Sequence, residues 1–393
     1  MTTRKRVLFV INSLTGGGAE RVMCTLLRHS EPERSEFDMT LALLDDEPRV
    51  NQPPDWLDVR QLDCRKSFLR SVSALKDLVG KLQPDVTLSF LTRSNFASVA
   101  TAKAPCIISE RAHTSAHLRG GARHIVSRAT VRLLYPRATR VIAVSEGVAR
   151  GLHNDFKVAS DRLIAISNPV DIEALGAKAA EPNPVNVGEP YILAVGRFVK
   201  VKNFELLIRA YAASGDHRRL VIAGDGPEHD HLAGVARECG VIERVLFPGF
   251  VNNPYPLLRG ADLFVLSSDS EGFPNALVES LAMGIPAIAT NCNSGPSEIL
   301  ADAPQNAVSG LTFAPYGVLT PIGDIASMAE AMRAMQDRQR RAAYAAKGAE
   351  RAKHFDAVAA KDRYWNVIRD VLSDAADSRK SRAGDSVRQF MTW

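Results

Sequence analysis

The sequence predicts an α/β protein built as two successive Rossmann-like domains facing each other across a cleft. Three observations carry this reading. The chain has 393 residues, more than one compact core usually serves. Short apolar runs alternate with amphipathic stretches in each half, which implies parallel βαβ units. The alternation lapses from Asp171 to Pro190, where Ala, Pro, Asn and Gly dominate, as in Glu181-Pro182-Asn183-Pro184, and then restarts. The predicted boundaries are 1–175 for an N-terminal domain and 186–355 for a C-terminal one. A helix over 356–373 and a polar tail over 374–393 follow.

The elements follow in order. Val7–Ile11 reads as a strand. Ala19–His29 reads as a helix with Val22, Met23, Leu26 and Leu27 inward. Met39–Leu44 is a strand and Leu69–Leu82 a helix. Val86–Phe90, Cys106–Ser109, Val141–Val144 and Ile164–Ile166 are strands. In the second half the strands are Tyr191–Val195, Arg219–Ala223, Val245–Phe247, Leu263–Leu266 and Ala287–Ala289. Its helices are Asn203–Ala213, His231–Cys239 and Asn275–Met283, then two long ones, Asp324–Arg340 and Ala357–Leu372. The last 20 residues are polar and read as a frayed end.

Composition narrows the class. Hydrophobic residues at 46% and charged residues at 24% exclude a disordered or fibrous chain. The cysteines, Cys24, Cys64, Cys106, Cys239 and Cys292, are odd in number and form no C-x-x-C pair. A disulfide framework or zinc site is disfavoured and a reducing cytosol fits. Arg4-Lys5-Arg6 and the following apolar run imitate a signal peptide, but the run ends after five residues at Asn12, as a buried strand does. No run approaches 18 apolar residues, so any membrane contact is expected to be peripheral. The net charge of +5 is uneven. Residues 1–185 hold 26 basic and 20 acidic side chains, the remainder 23 and 24. An anionic partner therefore meets the first half.

Two glycine loops sit at strand ends. Thr15-Gly16-Gly17-Gly18 joins a strand to a helix, where backbone N–H groups can approach a phosphate or sugar; the alternative is a tight βα turn. It is neither G-x-G-x-x-G nor a P-loop, which speaks against NAD and NTP-hydrolysing readings. Gly196-Arg197 ends Tyr191–Val195, with Lys202 five residues on. Paired cations at a strand C-terminus suit a diphosphate; the alternative is two solvated charges.

The most informative stretch runs from Glu271 to Glu279. Gly272 and Pro274 hold a loop after Leu263–Leu266, Asn275 can cap the next helix, and Gly284 stops it. Glu271 can project from the loop. Glu279 can accept two hydroxyls, or be an ordinary exposed helix residue. N–H groups around Phe273, Asn275, Ala276 and Leu277 favour a phosphate at the helix start.

These residues resemble the E-x7-E motif of the retaining glycosyltransferases of family 4, with the two-domain GT-B fold. The resemblance extends along nearly the whole chain. Gly196-Arg197 with Lys202-Asn203 resembles the family's G-R…K-N segment. Gly224-Asp225-Gly226-Pro227 resembles its G-x-G-P turn, Phe247-Pro248-Gly249-Phe250 its F-x-G strand, and Gly16-Gly17-Gly18-Ala19-Glu20-Arg21 its G-G-A-E-R opening, found in members that build polysaccharides and lipid-linked oligosaccharides.

The resemblance implies roles. Arg197 and Lys202 bind the donor diphosphate and stabilise the leaving group. Glu279 holds the ribose and Glu271 the sugar hydroxyls. Gly272, Phe273, Pro274, Asn275, Ala276 and Leu277 line the sugar and phosphates. Phe250 and Val251 face the nucleobase. Gly17 and Gly18 pass near the sugar. His113 sits where many members have a sugar-contacting histidine, but outside a matching motif. The implied reaction is retaining transfer of a hexose or N-acetylhexosamine from a nucleotide sugar. The implied donor is UDP-linked, with GDP-mannose the alternative, and no metal or cofactor is expected. Asp269-Ser270-Glu271 and Asp45-Asp46 imitate a D-x-D metal motif, against which the two-Rossmann pattern weighs. The implied acceptor is a polyprenyl-diphosphate glycan. A C-terminal helix carrying Tyr364 and Trp365 is expected to cross back onto the first domain. A UDP-sugar 2-epimerase and a non-catalytic partner subunit with the same fold remain as alternatives.

One basic stretch remains. Residues 111–140 hold Arg111, Arg119, Arg123, Arg128, Arg132, Arg137 and Arg140 with no Asp or Glu. His124, Arg128 and Arg132 recur every four residues beside Ile125, Ala129 and Leu133. A basic amphipathic helix of this kind fits an anionic bilayer surface or a lipid-linked pyrophosphate; the alternatives are a solvated face or a nucleic-acid patch. Arg123, Arg128 and Arg132 are therefore the expected acceptor and membrane contacts. The expected location is cytoplasmic, peripheral at the inner face of the membrane, with no nucleic-acid partner.

Overall fold

A computed structural model describes residues 4–114 and 121–390; the side chains of 121–124 and 378–390 lie outside that description. The chain forms two compact units. The first gathers the residues up to Val144, Val148–Pro169 and the chain from Ala357 onward; the second holds Ser145–Gly147 and Val170–Asp356.

The first unit is a seven-stranded parallel sheet. Its elements are β1 (Lys5–Ile11), α1 (Gly18–Arg28), β2 (Phe37–Leu43), β3 (Asp58–Gln61), α2 (Phe68–Leu82), β4 (Val86–Phe90), α3 (Thr92–Thr101), β5 (Cys106–Glu110), α4 (Gly121–Leu134), β6 (Arg140–Ala143), α5 (Glu146–Phe156) and β7 (Leu163–Ala165). The strand order is β3-β2-β1-β4-β5-β6-β7, so the chain reverses direction beside β1, as in doubly wound sheets. β1 is an apolar run from Val7 to Ile11 and β4 is buried throughout, Thr87 and Ser89 included, because both their faces are covered.

The second unit repeats the plan. It holds α6 (Ile172–Ala179), β8 (Tyr191–Val195), α7 (Phe204–Ser214), β9 (Arg219–Ala223), α8 (His229–Glu238), β10 (Val245–Leu246), α9 (Tyr255–Arg259), β11 (Leu263–Leu266), α10 (Asn275–Ala282), β12 (Ala287–Thr290), α11 (Pro296–Leu300), β13 (Thr312–Ala314), β14 (Gly317–Thr320), α12 (Ile325–Ala334) and α13 (Arg338–Ala352). The order is β10-β9-β8-β11-β12-β14-β13, parallel except for the antiparallel β13–β14 pair.

The last helix, α14 (Ala357–Phe390), closes the core of the first unit. Trp365 is fully buried, its ring 4.7 Å from that of Phe37 and edge-on to Phe9, and its indole N–H donates to Ser30 Oγ at 2.7 Å. Tyr364, Ile368 and Val371 join the same cluster. A buried Trp removes roughly 200 Å² from water, on the order of 5 kcal/mol of gross stabilisation. The helix thus returns to the first unit as expected.

Several elements differ from the sequence reading. The 171–190 stretch, read as a linker, contains α6, whose N-cap Asp171 accepts the Ala174 N–H at 2.9 Å, and from Val170 the chain belongs to the second unit. The single helix expected over 324–340 is two, because Asp337 accepts the Gln339 and Arg340 N–H groups and starts a new one. The tail expected from 374 continues α14 to Phe390. β3 is short, with exposed polar residues, and α3 buries Ser94, Asn95 and Ser98, so neither shows an apolar period.

Candidate active site

In the second unit the loops after β8, β9, β10 and β11 meet at the C-terminal edge of the sheet, where ligands of doubly wound sheets bind. After β8 the chain passes through Gly196-Arg197-Phe198. Against it lies the turn after β9, where Gly224 and Gly226 have φ of +148° and +154°. A Cβ on Gly224 would stand 1.9 Å from the Gly196 carbonyl oxygen, so only glycine lets the two loops touch. The Phe198 N–H donates to the Asp225 carbonyl, and the Gly224 N–H to Gly249 in the loop after β10. Arg197 is exposed and enters no ion pair among the described residues. Phe250 stands 73% exposed, with Val251 half-buried beside it.

Asn203 orients Lys202. It takes a left-handed conformation (φ +44°), caps α7 by accepting the Leu206 N–H at 3.1 Å, and donates to Asp269 Oδ1 at 2.7 Å. Ser267 Oγ donates to the Lys202 carbonyl, and the Asp269 N–H to Val201. This stitching delivers Lys202 Nζ to Glu271 Oε1 at 2.6 Å; Ser268 Oγ donates to the same oxygen at 2.6 Å. The Lys202 and Glu271 side chains are only 26% and 11% exposed, so their attraction is less screened than that of a surface pair.

The loop carrying Glu271 is pinned from the other side. Ser294 Oγ donates to the Glu271 carbonyl at 2.5 Å. Gly295, at φ +94°, lies so close that a Cβ would be 2.5 Å from Pro274 Cδ. Burial, with the charge of Glu271 adding to it, pushes the Cys292 thiol up to about 12, so it stays protonated and is no nucleophile. α10 starts one residue earlier than a capping Asn275 requires: Pro274 is the N-cap, no side chain caps it, and Asn275 is the first helical residue. Gly272, Phe273, Pro274 and Leu277 are buried, and Asn275 and Ala276 half-buried. Glu279 is 7% exposed, not an ordinary exposed helix residue. A carboxylate so buried requires polar partners, which hydroxyl groups of a ligand can extend.

Asp269 and Glu271, the imitation metal motif, are each bonded elsewhere, to Asn203 and to Lys202 and Ser268. Among the described residues no three His, Cys, Asp or Glu side chains group as metal ligands, and no helix is long and apolar enough to cross a membrane.

The first unit carries the other expected residues. Gly17 is the N-cap of α1 and Gly18 its first residue; a Cβ on Gly17 would collide with the Glu20 carboxylate, which folds back over it. His113 is half-buried and packs against Gly151 of α5. The turn before it is fixed by buried Glu110, whose Oε1 accepts the Arg111 and Ala112 N–H groups while Oε2 accepts the Tyr135 hydroxyl at 2.5 Å. Arg111 lies over the Phe90 ring and donates to Tyr364 Oη at 2.7 Å. On α4, Arg132 is exposed and Arg128 folds over the Phe156 ring, while Ile125, Val126 and Leu133 stand in solvent. The side chain of Arg123, with Arg119 and His117, lies outside the described residues.

Sequence reasoning passed over Ser268, Ser294, Gly295 and Glu110. The Gly295-Pro296 dipeptide was a visible signal of special backbone; the serines and Glu110 act through distant partners and left none.

Comparison with known proteins places the family and the fold. The family model described as Glycosyltransferase Family 4 matches residues 16–174, and that described as Glycosyl transferases group 1 matches 177–351. The N-acetylgalactosamine-N,N'-diacetylbacillosaminyl-diphospho-undecaprenol 4-alpha-N-acetylgalactosaminyltransferase of Campylobacter jejuni is 32% identical over 365 residues, covering 88% of this chain and 95% of that protein. The chain belongs to glycosyltransferase family 4. This glycosyltransferase is also 24% identical to the lipopolysaccharide 1,6-galactosyltransferase of Escherichia coli K12, over 82% of its own length and 86% of that protein. Its fold is that of solved GT-B structures. A sucrose-phosphate synthase from Thermosynechococcus elongatus superposes with a TM-score of 0.76 at 17% identity, covering 94% of this chain and all of that one. HepE of Anabaena, solved with UDP, gives 0.73 at 19%, covering 93% and 100%.

Proposed function

We propose that this glycosyltransferase moves a hexose or N-acetylhexosamine, with retention of configuration, from a UDP-sugar to a polyprenyl-diphosphate-linked glycan. The similarity that carries this is the end-to-end match to the Campylobacter transferase, whose name specifies both a diphospho-undecaprenol acceptor and an N-acetylgalactosaminyl donor group.

The chemistry follows from the second unit's own groups. Lys202 Nζ has three N–H donors and spends one on Glu271. The others, with Arg197, face the β-phosphate as its bond to the anomeric carbon breaks and charge builds on oxygen. Glu271 accepts hydroxyls of the transferred sugar, and Glu279 those of the ribose. The acceptor hydroxyl attacks from the face the phosphate leaves. Its proton passes to a departing phosphate oxygen, so one C–O bond breaks, one forms and no protein nucleophile or metal is required. Phe250, exposed, offers its ring and backbone to the base.

In the first unit, α4 presents Arg132 beside exposed Ile125, Val126 and Leu133. We assign this face to an anionic leaflet, with the enzyme peripheral on its cytoplasmic side. A thermal-shift screen of nucleotide sugars, with Glu279→Ala as control, tests the donor. Stabilisation by a UDP-sugar that the variant loses is expected; a shift with GDP-mannose alone overturns the UDP assignment, and none with any nucleotide overturns the whole reading.

A further inference from the structure

Large apolar side chains exposed on the first unit are concentrated. Among the described residues there are seven, and five lie in two places: Phe68 and Leu69 in the opening turn of α2, and Ile125, Val126 and Leu133 on α4. Leu69, 77% exposed, is the most exposed of them. The two places are joined by aromatic packing. The Phe68 ring lies 6.3 Å from Phe96 on α3, and Phe96 lies 5.8 Å from Tyr135, which directly follows α4.

Phe68 and Leu69 are presented on a fixed turn. The Cys64 N–H donates to the Leu44 carbonyl at 2.6 Å and the Lys66 N–H to Asp45 Oδ1 at 2.8 Å. Arg65 and Lys66 hold left-handed φ angles, and Ser67 Oγ caps α2. Three exposed cations flank the pair, Arg65, Lys66 and Arg70, and no Asp or Glu occurs from 64 to 76. Arg65 meets Asp63 in a solvent-exposed ion pair and exposed Lys66 meets half-buried Glu47, partners that a phosphate headgroup can replace; Arg70 enters no ion pair among the described residues. Two adjacent large apolar side chains held out to water between cations match the composition of an interfacial anchor.

We propose that the turn from Arg65 to Arg70 is a second membrane contact, with Phe68 and Leu69 entering the headgroup–acyl boundary of an anionic leaflet and Arg65, Lys66 and Arg70 at its phosphates. It extends the assignment of α4 to the membrane and rests on that reading. The turn follows the C-terminal end of β3, on the same edge of the parallel sheet as the Gly16–Gly18 loop after β1. Docking here brings that edge to the depth at which a lipid-linked diphosphate lies.

Vesicle flotation of the full chain tests it, with phosphatidylcholine vesicles compared against vesicles containing about one-third phosphatidylglycerol. The expected result is binding to the anionic vesicles that Phe68→Ser/Leu69→Ser weakens about tenfold or more, with melting temperature and nucleotide-sugar shift unchanged. Leu69→Trp should add a fluorescence component that moves to the blue on anionic vesicles and is quenched by brominated lipid. Wild-type binding by the double serine variant, while Ile125→Ser/Leu133→Ser loses it, overturns this contact and leaves α4 standing. No vesicle binding by the wild type overturns both, and a retained nucleotide-sugar shift would show the donor assignment intact. A dimer that the Phe68→Ser/Leu69→Ser variant dissociates, with vesicle binding unchanged, overturns the membrane in favour of a second copy of the chain.

Discussion

The two units are built on the same sheet plan but treat charge in opposite ways. In the second, the key cations other than Arg197 are partnered: Lys202 with Glu271 at 2.6 Å, Arg218 with Asp216 at 2.6 Å, and buried Arg351 with Asp302 and the carbonyls of Glu298 and Ile299. In the first, the cations of 111–140 and 65–70 lie at the surface, several in ion pairs there, or against aromatic rings, next to exposed apolar side chains. A site that must act on one small, highly charged donor gains from preorganised pairs. A surface that must meet a bilayer gains from exposed charge and exposed hydrocarbon. The net charge of +5 is thus the sum of a basic first unit, with 32 Lys and Arg against 21 Asp and Glu, and an acidic second one, with 17 against 23.

The largest expected effect tests the claim that α14 belongs to the first unit. Trp365→Ala removes its central ring and should cost about 3–5 kcal/mol. In denaturant unfolding followed by near-UV circular dichroism, the first unit should then melt ahead of the second. A single unshifted transition would deny α14 that role. Next comes the pair at the donor site. Lys202→Ala leaves Glu271 without its cation, and we expect transfer to fall on the order of 10²–10³-fold. Glu271→Gln, which keeps the size and an acceptor for Lys202, should also lower kcat with little change in melting temperature. A variant with near-normal kcat would mean that this pairing is structural only.

Gly295→Ala is a smaller perturbation aimed at the loop itself. The new Cβ meets Pro274 Cδ at 2.5 Å in a backbone conformation that disfavours side chains. The expected cost is about 1–3 kcal/mol, with a rise in donor KM from displacement of the Phe273–Leu277 segment. An unchanged KM would show that the loop tolerates the shift.

This position also marks where the sequence stopped being legible. Most strands of both sheets, though not β3, β13 or β14, could be read from apolar runs because parallel strands are buried on both faces. Arg197, Lys202, Glu271 and Glu279 lie on those strand ends or the helix that follows, and so were found with them. What escaped was set by contacts between distant segments. Gly295 approaches Pro274 from the loop after β12, Ser294 binds the Glu271 carbonyl, and Tyr135 reaches Glu110 across 25 positions. α3 was invisible because its buried residues mix Phe96 and Ala97 with Ser94, Asn95 and Ser98, of which Ser94 and Asn95 are hydrogen-bonded, so no apolar period shows. The break between α12 and α13 was legible in principle, since Asp337 is an ordinary N-cap residue, but a helical period on both sides hid it.

The smallest effect comes from the buried carboxyl of the first unit. Glu271 meets an ammonium, whereas Glu110 meets a phenol and two backbone N–H groups. Burial raises Glu110 above its usual 4.5, and the Tyr135 hydroxyl, the two N–H groups and Arg111 offset only part of that. Tyr135 is itself held well above 10 by burial and by Glu110, so it stays a donor. A carboxyl with a raised folded pKa binds its proton more tightly folded than unfolded. Its contribution is therefore fully present below about pH 4.5 and is lost as pH rises through the folded value. Glu110→Gln removes that slope while its amide oxygen still accepts both N–H groups and its NH2 can donate to the Tyr135 oxygen. Near pH 4 the variant should lie within about 1 kcal/mol of wild type, and the difference should shift in the variant's favour as pH rises toward 7. Urea midpoints taken across that range decide it. Parallel curves would mean that Glu110 carries no tightly held proton, and that the first unit, like the second, stores a compensated charge beneath its site.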